Sequence, residues 1–263
     1  MGFATHVRRH CPRLWFHFKF LRYKYLRGER EIRLLARLVP KDRIAIDIGS
    51  SIGLYSRELA RHVPKVVAFE ANAAVADFAR LVAAPNVEIV NVALSANDAR
   101  AELRIPINAK GDAINDLATV EARNNSHPGE ALTIEIATKR LDDYDFPDCG
   151  FIKIDVEGHE EAVLDGAMRL IETQRPILMI ELVDAHNSGT IKRVVDRCSR
   201  LSYAAYFLSR EGRLRPFAEF DEALHQNMKL AEGLSSRRRR KVEYINNFIF
   251  VPNEDVSRLI RGA

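Results

Sequence analysis

With 263 residues, of which 47% are hydrophobic and 29% charged, the chain has the composition of a globular protein with an extensive core, and a disordered polymer is excluded. Its formal charge of +4 is unevenly spread: residues 1–30 hold eight Lys or Arg against the single acid Glu29, the basic run at 237–241 adds five more, and the remainder carries −8. That distribution excludes a uniformly basic nucleic-acid surface, and no apolar run approaches the roughly 20 residues that a membrane-spanning helix needs.

The N-terminal segment has no uninterrupted apolar stretch before a small-residue cleavage site, and neither end carries a lipidation pattern, so a cytoplasmic chain without an anchor is expected. Cys11, Cys149 and Cys198 are odd in number, far apart and without CxxC spacing, which favours reduced thiols over disulfides or a zinc site. Residues 1–30 also hold seven aromatics, a third of the total, interleaved with Arg and Lys. Two readings stand side by side: peripheral contact with an anionic membrane or acidic glycolipid, and a helical arm whose aromatics dock on the body. Ile32, Leu35, Leu38 and Val39 then predict an amphipathic helix stopped at Pro40. Residues 1–40 are thus read as a basic, aromatic arm with a helix, and 41–263 as one domain.

From residue 43 the apolar pattern alternates between short β-rich runs and three- and four-residue spacings, the mark of βαβ units. Strands are predicted at 43–48, 66–70, 87–93, 151–156 and 176–182, each apolar enough to be buried on both faces of a parallel sheet. Runs at 101–105 and 132–137 flank a polar stretch, 108–130, whose length suits a functional loop. A helix near 190–200 and strands at 203–208 and 244–251 complete the reading. The fold class is α/β, a doubly wound Rossmann-like sheet.

Two constellations carry chemistry. The first predicted strand ends in Asp47-Ile48-Gly49-Ser50-Ser51-Ile52-Gly53 and runs into a helix, the crevice position where doubly wound sheets bind ligands. Gly49 allows a tight turn, Gly53 close packing as the helix begins, and Glu70 closes the next strand, where a carboxylate accepts hydrogen bonds from ribose hydroxyls. The spacing is Gly-x-x-x-Gly and an acid leads the turn, so a dinucleotide pyrophosphate would be repelled by Asp47. A sulfonium cofactor with an amine would use that acid, which favours S-adenosylmethionine over a nicotinamide. No G-x-x-x-x-G-K-[ST] phosphate loop is present.

In the second constellation Asp155 and Glu181 each end an apolar strand, with Glu157 and His159 close to Asp155. Adjacent parallel strands would bring both carboxylates to one rim, where they either receive a hydroxyl substrate, hold a divalent metal such as Mg²⁺, or pair structurally with Lys153 or Arg175.

On IDIGSSIGLYS (46–56), VVAFEAN (66–72), NVALS (91–95), LDD (141–143), FIKIDVEGHEEAVLDGA (151–167) and RPILMIEL (175–182), the sequence resembles the FkbM family of S-adenosylmethionine-dependent methyltransferases. The resemblance implies the class I methyltransferase sheet of about seven strands with its final strand antiparallel. It also implies O-methylation of a hydroxyl on a sugar, glycolipid or related natural product. Carried over, Asp47, Gly49, Ser50 and Gly53 would face the methionine moiety, Glu70 the ribose, Asn91 and Ala93 the adenine side, and Asp155 the transferring methyl. Asp155 and His159 are then the candidate general bases, with Glu181 beside them; alternatively Asp155 and Glu181 hold Mg²⁺. Two other readings compete, a nicotinamide-dependent oxidoreductase and a non-catalytic membrane-surface protein on a degenerate methyltransferase sheet. No nucleic-acid partner is expected.

Overall fold

Five of the short apolar runs align as parallel strands, because residues that are apolar on both faces satisfy themselves only inside a sheet covered on both sides. The computed structural model describes residues 7–8, 10–108, 111–121, 129–226 and 244–261, so the basic run at 237–241 and part of the 108–130 stretch lie outside the described residues. The strands are β1 (Ile44–Ile48), β2 (Val66–Phe69), β3 (Val87–Val90), β4 (Ala93–Leu94), β5 (Ala99–Pro106), β6 (Ala131–Lys139), β7 (Cys149–Ile154), β8 (Ile177–Glu181), β9 (Tyr203–Leu208), β10 (Leu214–Pro216) and β11 (Asn247–Pro252). The helices used below are α1 (Pro12–Arg22), α2 (Leu35–Leu38), α3 (Leu54–Leu59), α4 (Ala73–Val82), α5 (Glu160–Asp165), α6 (Met168–Gln174) and α7 (Thr190–Arg200).

The main sheet has eight strands in the order β10-β9-β11-β8-β7-β1-β2-β3. From β3 to β8 the pairings are parallel, and β11 inserts antiparallel between β8 and β9. This is the arrangement that the family resemblance implied, with one strand added: β10 pairs antiparallel with β9 over three residues that include Arg215 and Pro216, too short and too polar to read as a strand. The predicted run 87–93 is two strands. It breaks after Val90, and Ala93–Leu94 joins β6 and β5 in a separate three-stranded sheet.

Each face of the main sheet has its own core. Ile46, Ile48, Ile152, Ile154, Leu178 and Ile180 pack under α5, α6 and α7 through Val163, Leu164, Leu170, Ile171 and Val194. On the opposite face Ala45, Val66, Phe151, Met179 and Ile249 meet Phe20, Ile32, Leu35, Leu38 and Leu59. The N-terminal segment is therefore a layer of the fold. Phe16 and Phe20 of α1 are buried, each contributing about 1.5–3 kcal/mol, and Trp15 meets Phe78 of α4 edge-on at 5.7 Å. The LDD motif serves this architecture: the Asp142 carboxylate accepts the N–H groups of Arg169 and Leu170, both at 2.9 Å, and so caps α6.

Candidate active site

At the carboxyl ends of the strands, where β1 separates β2 on one side from β7 on the other, the rim opens into a cavity of about 350 Å³. The turn after β1 forms its floor. Gly49 has φ 76°, and a side chain there would place Cβ 1.8 Å from the Asp155 carbonyl oxygen, so only glycine allows the loops after β1 and β7 to touch. Ser51 follows with φ 48°, and its N–H donates to Glu70 Oε2 at 2.8 Å. The other Glu70 oxygen accepts the Asn72 N–H at 2.8 Å. Glu70 therefore ties the two turns together while facing the cavity. Burial raises its carboxyl to about 7 despite those N–H groups, and Asp47 across the cavity adds to the rise. Asp47 is buried and accepts the Ser56 hydroxyl, and burial lifts its pKa to about 6. Ser50 Oγ, also buried on the cavity wall, has no hydrogen-bond partner among the described residues.

The second constellation forms the other end. The register sets Asp47 beside Lys153 and Ile154 beside Ile180, which brings Asp155 and Glu181 together as adjacent strands required. Lys153 is wholly buried, its Nζ 3.2 Å from Asp155 Oδ2 and 5.1 Å from the Tyr55 ring centroid. Burial works against its ammonium, but Asp155, Glu181, Glu29 and Asp47 around it hold its pKa above the ordinary value. Burial works against the Asp155 carboxylate, but Lys153, the hydrogen bond from Glu181 and His186 together hold it below the usual carboxylate range. Glu181 is pushed far up by burial and by Asp155, with which it shares a hydrogen bond; it keeps the proton of the pair. Glu157, at φ 53°, also lines the cavity and is raised to about 8 by burial and Asp155.

Residues that sequence reasoning did not assign to the site come from the N-terminal layer and the loop. Lys19, Tyr23 and Glu29 line the cavity, with Tyr55. Tyr55 donates to Glu29 at 2.6 Å, and Asn247 of β11 donates to the same Glu29 oxygen at 3.0 Å. One signal was available, since Glu29 is the sole acid in residues 1–30. Within the 108–130 stretch, Asn115, Asp116, Ala118 and Val120 line the cavity. Ser51 holds Asp116 at 2.9 Å, Asn72 holds Asn115 at 3.0 Å and Thr119 holds the Glu157 carbonyl at 2.7 Å, so the loop spans both constellations.

Of the predicted site residues, Asp47, Gly49, Ser50, Glu70, Ala93, Asp155 and Glu181 share this one cavity. The structure places the other three elsewhere. Gly53 is the N-cap of α3, at φ 87°. Asn91 donates to the carbonyls of Glu70 and Ala71, at 2.8 and 3.0 Å, and braces that loop from behind. His159 is bonded to Ser95 at 2.9 Å, and burial lowers its pKa; it is not among the residues that line the cavity. Nor do Asp155 and Glu181 fit Mg²⁺. The lysine ammonium already stands against Asp155, and no cluster of three or more metal-binding side chains exists among the described residues.

The cavity wall carries seven carboxylic acids, among them Asp116 and Glu29, against two lysines. Comparison with known proteins now decides the family: the sequence model of the methyltransferase FkbM domain matches residues 47–219, well over half of the chain. The chain belongs to the FkbM methyltransferase family. An FkbM methyltransferase from Methylobacillus flagellatus superposes with a TM-score of 0.51 at 16% identity, over 94% of this chain and 52% of that one. The chain thus spans about half the length of that family member. A TehB-like SAM-dependent methyltransferase from Corynebacterium glutamicum gives a TM-score of 0.46 at 13% identity, over 94% of this chain and 98% of its own. At these identities the likeness concerns the fold. No curated protein matches the chain.

Proposed function

We propose that this FkbM-family chain is an S-adenosylmethionine-dependent O-methyltransferase acting on a hydroxyl of a sugar, glycolipid or related natural product. The observation that carries the reading is the convergence of Asp47 and Glu70 on one acidic cavity whose far end holds the Lys153–Asp155–Glu181 cluster. A cavity dominated by carboxyls suits a ligand bearing a sulfonium and an ammonium, and repels the pyrophosphate of a nicotinamide cofactor. The unpartnered Ser50 hydroxyl on the wall is a further polar group that such a ligand would satisfy.

In this reading Glu70 would hold the ribose hydroxyls, Asp47 and the turn at Gly49 and Ser50 the amino-acid end, and Ala93 the adenine side. When bound, the cofactor supplies a methyl group already activated on sulfur. The protein's task is then to bind and orient the acceptor oxygen and to receive its proton. Asp155, kept ionised by Lys153, accepts the acceptor's O–H, and protonated Glu181 fixes the carboxylate's orientation. Tyr23, Glu29 and Tyr55 extend a row of hydrogen-bonding groups from that point, which suits an acceptor rich in hydroxyls.

Calorimetry separates the readings. S-adenosylmethionine is expected to bind and NADH not to. Glu70→Ala is expected to weaken binding by about 1.5–3 kcal/mol, the worth of charge-assisted hydrogen bonds, with Glu70→Gln intermediate. Uptake of NADH instead, or unchanged affinity in both variants, refutes the assignment. The pH dependence follows from the same groups. Both carboxyls are raised, to about 6 and about 7, so both are protonated in mild acid and ionise as pH rises. Affinity for the cationic cofactor is therefore expected to increase about tenfold between pH ~5.5 and ~8. A flat profile would show that neither acid meets the ligand.

A further inference from the structure

The segment that walls the cavity has a second face. Val7 to Gly28 contains no acidic residue, and α1 continues through residues 23–27 as one further, wider helical turn. Phe16 points inward against Ile52, Val75 and Val82, Phe20 against the sheet face, and Tyr23 toward the sheet and the cavity. On the outside stand Leu14, Phe18, Leu21 and Tyr25, exposed by 51, 61, 37 and 60%, with Leu26 beside them at 75%. At 100° per residue the first four fall within a strip of about 60°, and they run about 16 Å along the helix. Large apolar side chains in such a row are unusual on a solvated surface. The exposed Arg22 lies alongside them.

We propose that this outer face of α1 seats on an anionic bilayer surface. Charge decides the occupant. Residues 1–30 carry a net +7, while the chain outside them and outside 237–241 carries −8, so an anionic plane attracts the N-terminal segment and repels that acidic remainder. The molecule can then dock with the Leu14–Phe18–Leu21–Tyr25 row toward the acyl boundary and the exposed Arg13 and Arg22 among the headgroups. A second copy of the chain fits less well, because two such faces would bring their positive charges together. Docking in this way holds the cavity, walled by the inward side of the same helix at Lys19 and Tyr23, about one helix diameter (~10 Å) from the bilayer. On the methyl-transfer reading, and resting on it, the acceptor hydroxyl would then belong to a lipid-borne head group presented from the membrane.

The test is sedimentation of the full chain with vesicles of phosphatidylcholine alone and with about one-third phosphatidylglycerol. Binding is expected only to the anionic vesicles, falling as salt is raised. Phe18→Glu/Leu21→Glu is expected to weaken it at least about tenfold and Arg22→Glu severalfold, while Leu132→Glu/Leu224→Glu, exposed apolar residues elsewhere, leaves it unchanged. Equal binding to neutral and anionic vesicles, or wild-type binding by both α1 variants, overturns the proposal. So does a dimer in analytical ultracentrifugation that Phe18→Glu/Leu21→Glu dissolves without any vesicle binding. S-adenosylmethionine calorimetry on the same variants reads the methyl-donor assignment separately, since neither Phe18 nor Leu21 lines the cavity.

Discussion

Replacing Asp155 by Asn is expected to lower turnover by about 10²–10⁴-fold while leaving S-adenosylmethionine affinity within a few-fold of wild type. The change keeps the shape and one acceptor oxygen but removes the charge that Lys153 stabilises and that would receive the hydroxyl proton. Release of S-adenosylhomocysteine with a hydroxylated glycan acceptor is the measurement. Near wild-type turnover would mean that Asp155 serves only to neutralise Lys153, and the proton would have to leave by another route. A matching change, His159→Gln, is expected to act mildly, since His159 is packed on Ser95 away from the cavity.

Lys153→Met has the larger expected effect on stability. The lysine is fully buried and is surrounded by Asp155, Glu181, Glu29 and Asp47. Removing one partner of such a group strands the others, at about 3–5 kcal/mol, which for a chain of this size lowers Tm by roughly 10 °C. Lys153→Met combined with Asp155→Asn is expected to recover part of the loss, because two of the groups are then removed together. Thermal unfolding of the three variants gives the cycle, and additive losses would show that Lys153 and Asp155 are not coupled.

Much of this arrangement was readable beforehand, for a physical reason. Strands buried on both faces must be apolar throughout, so β1, β2, β7, β8 and β9 were placed to within about two residues, and the acids that end them stood out against that background. The Gly49 turn was legible because a positive φ and a close approach leave glycine little competition. Lys153 offered a clue of the same kind, a lone charge inside an otherwise apolar strand, and was read only as one structural partner among two. Arg175, the other, instead pairs with Glu254. What periodicity does not encode is which distant segments meet. Tyr23 and Glu29 reach the cavity only because α1 and α2 cover the sheet face, and His159 is turned away although it lies four residues from Asp155 in sequence.

The insertion of β11 between β8 and β9 has a consequence for biosynthesis. While β9 is already made and β11 is not, β8 presents a bare edge of unpaired backbone groups, and β9 has no neighbour on its inner side. Closure of that gap joins segments far apart along the polypeptide and is expected to be a late step of folding. Asn247 arrives on the same strand and donates to Glu29, so the Glu29 side of the cavity is finished only when the gap closes. A nascent chain would thus be spared from displaying a working pocket before its sheet is sealed.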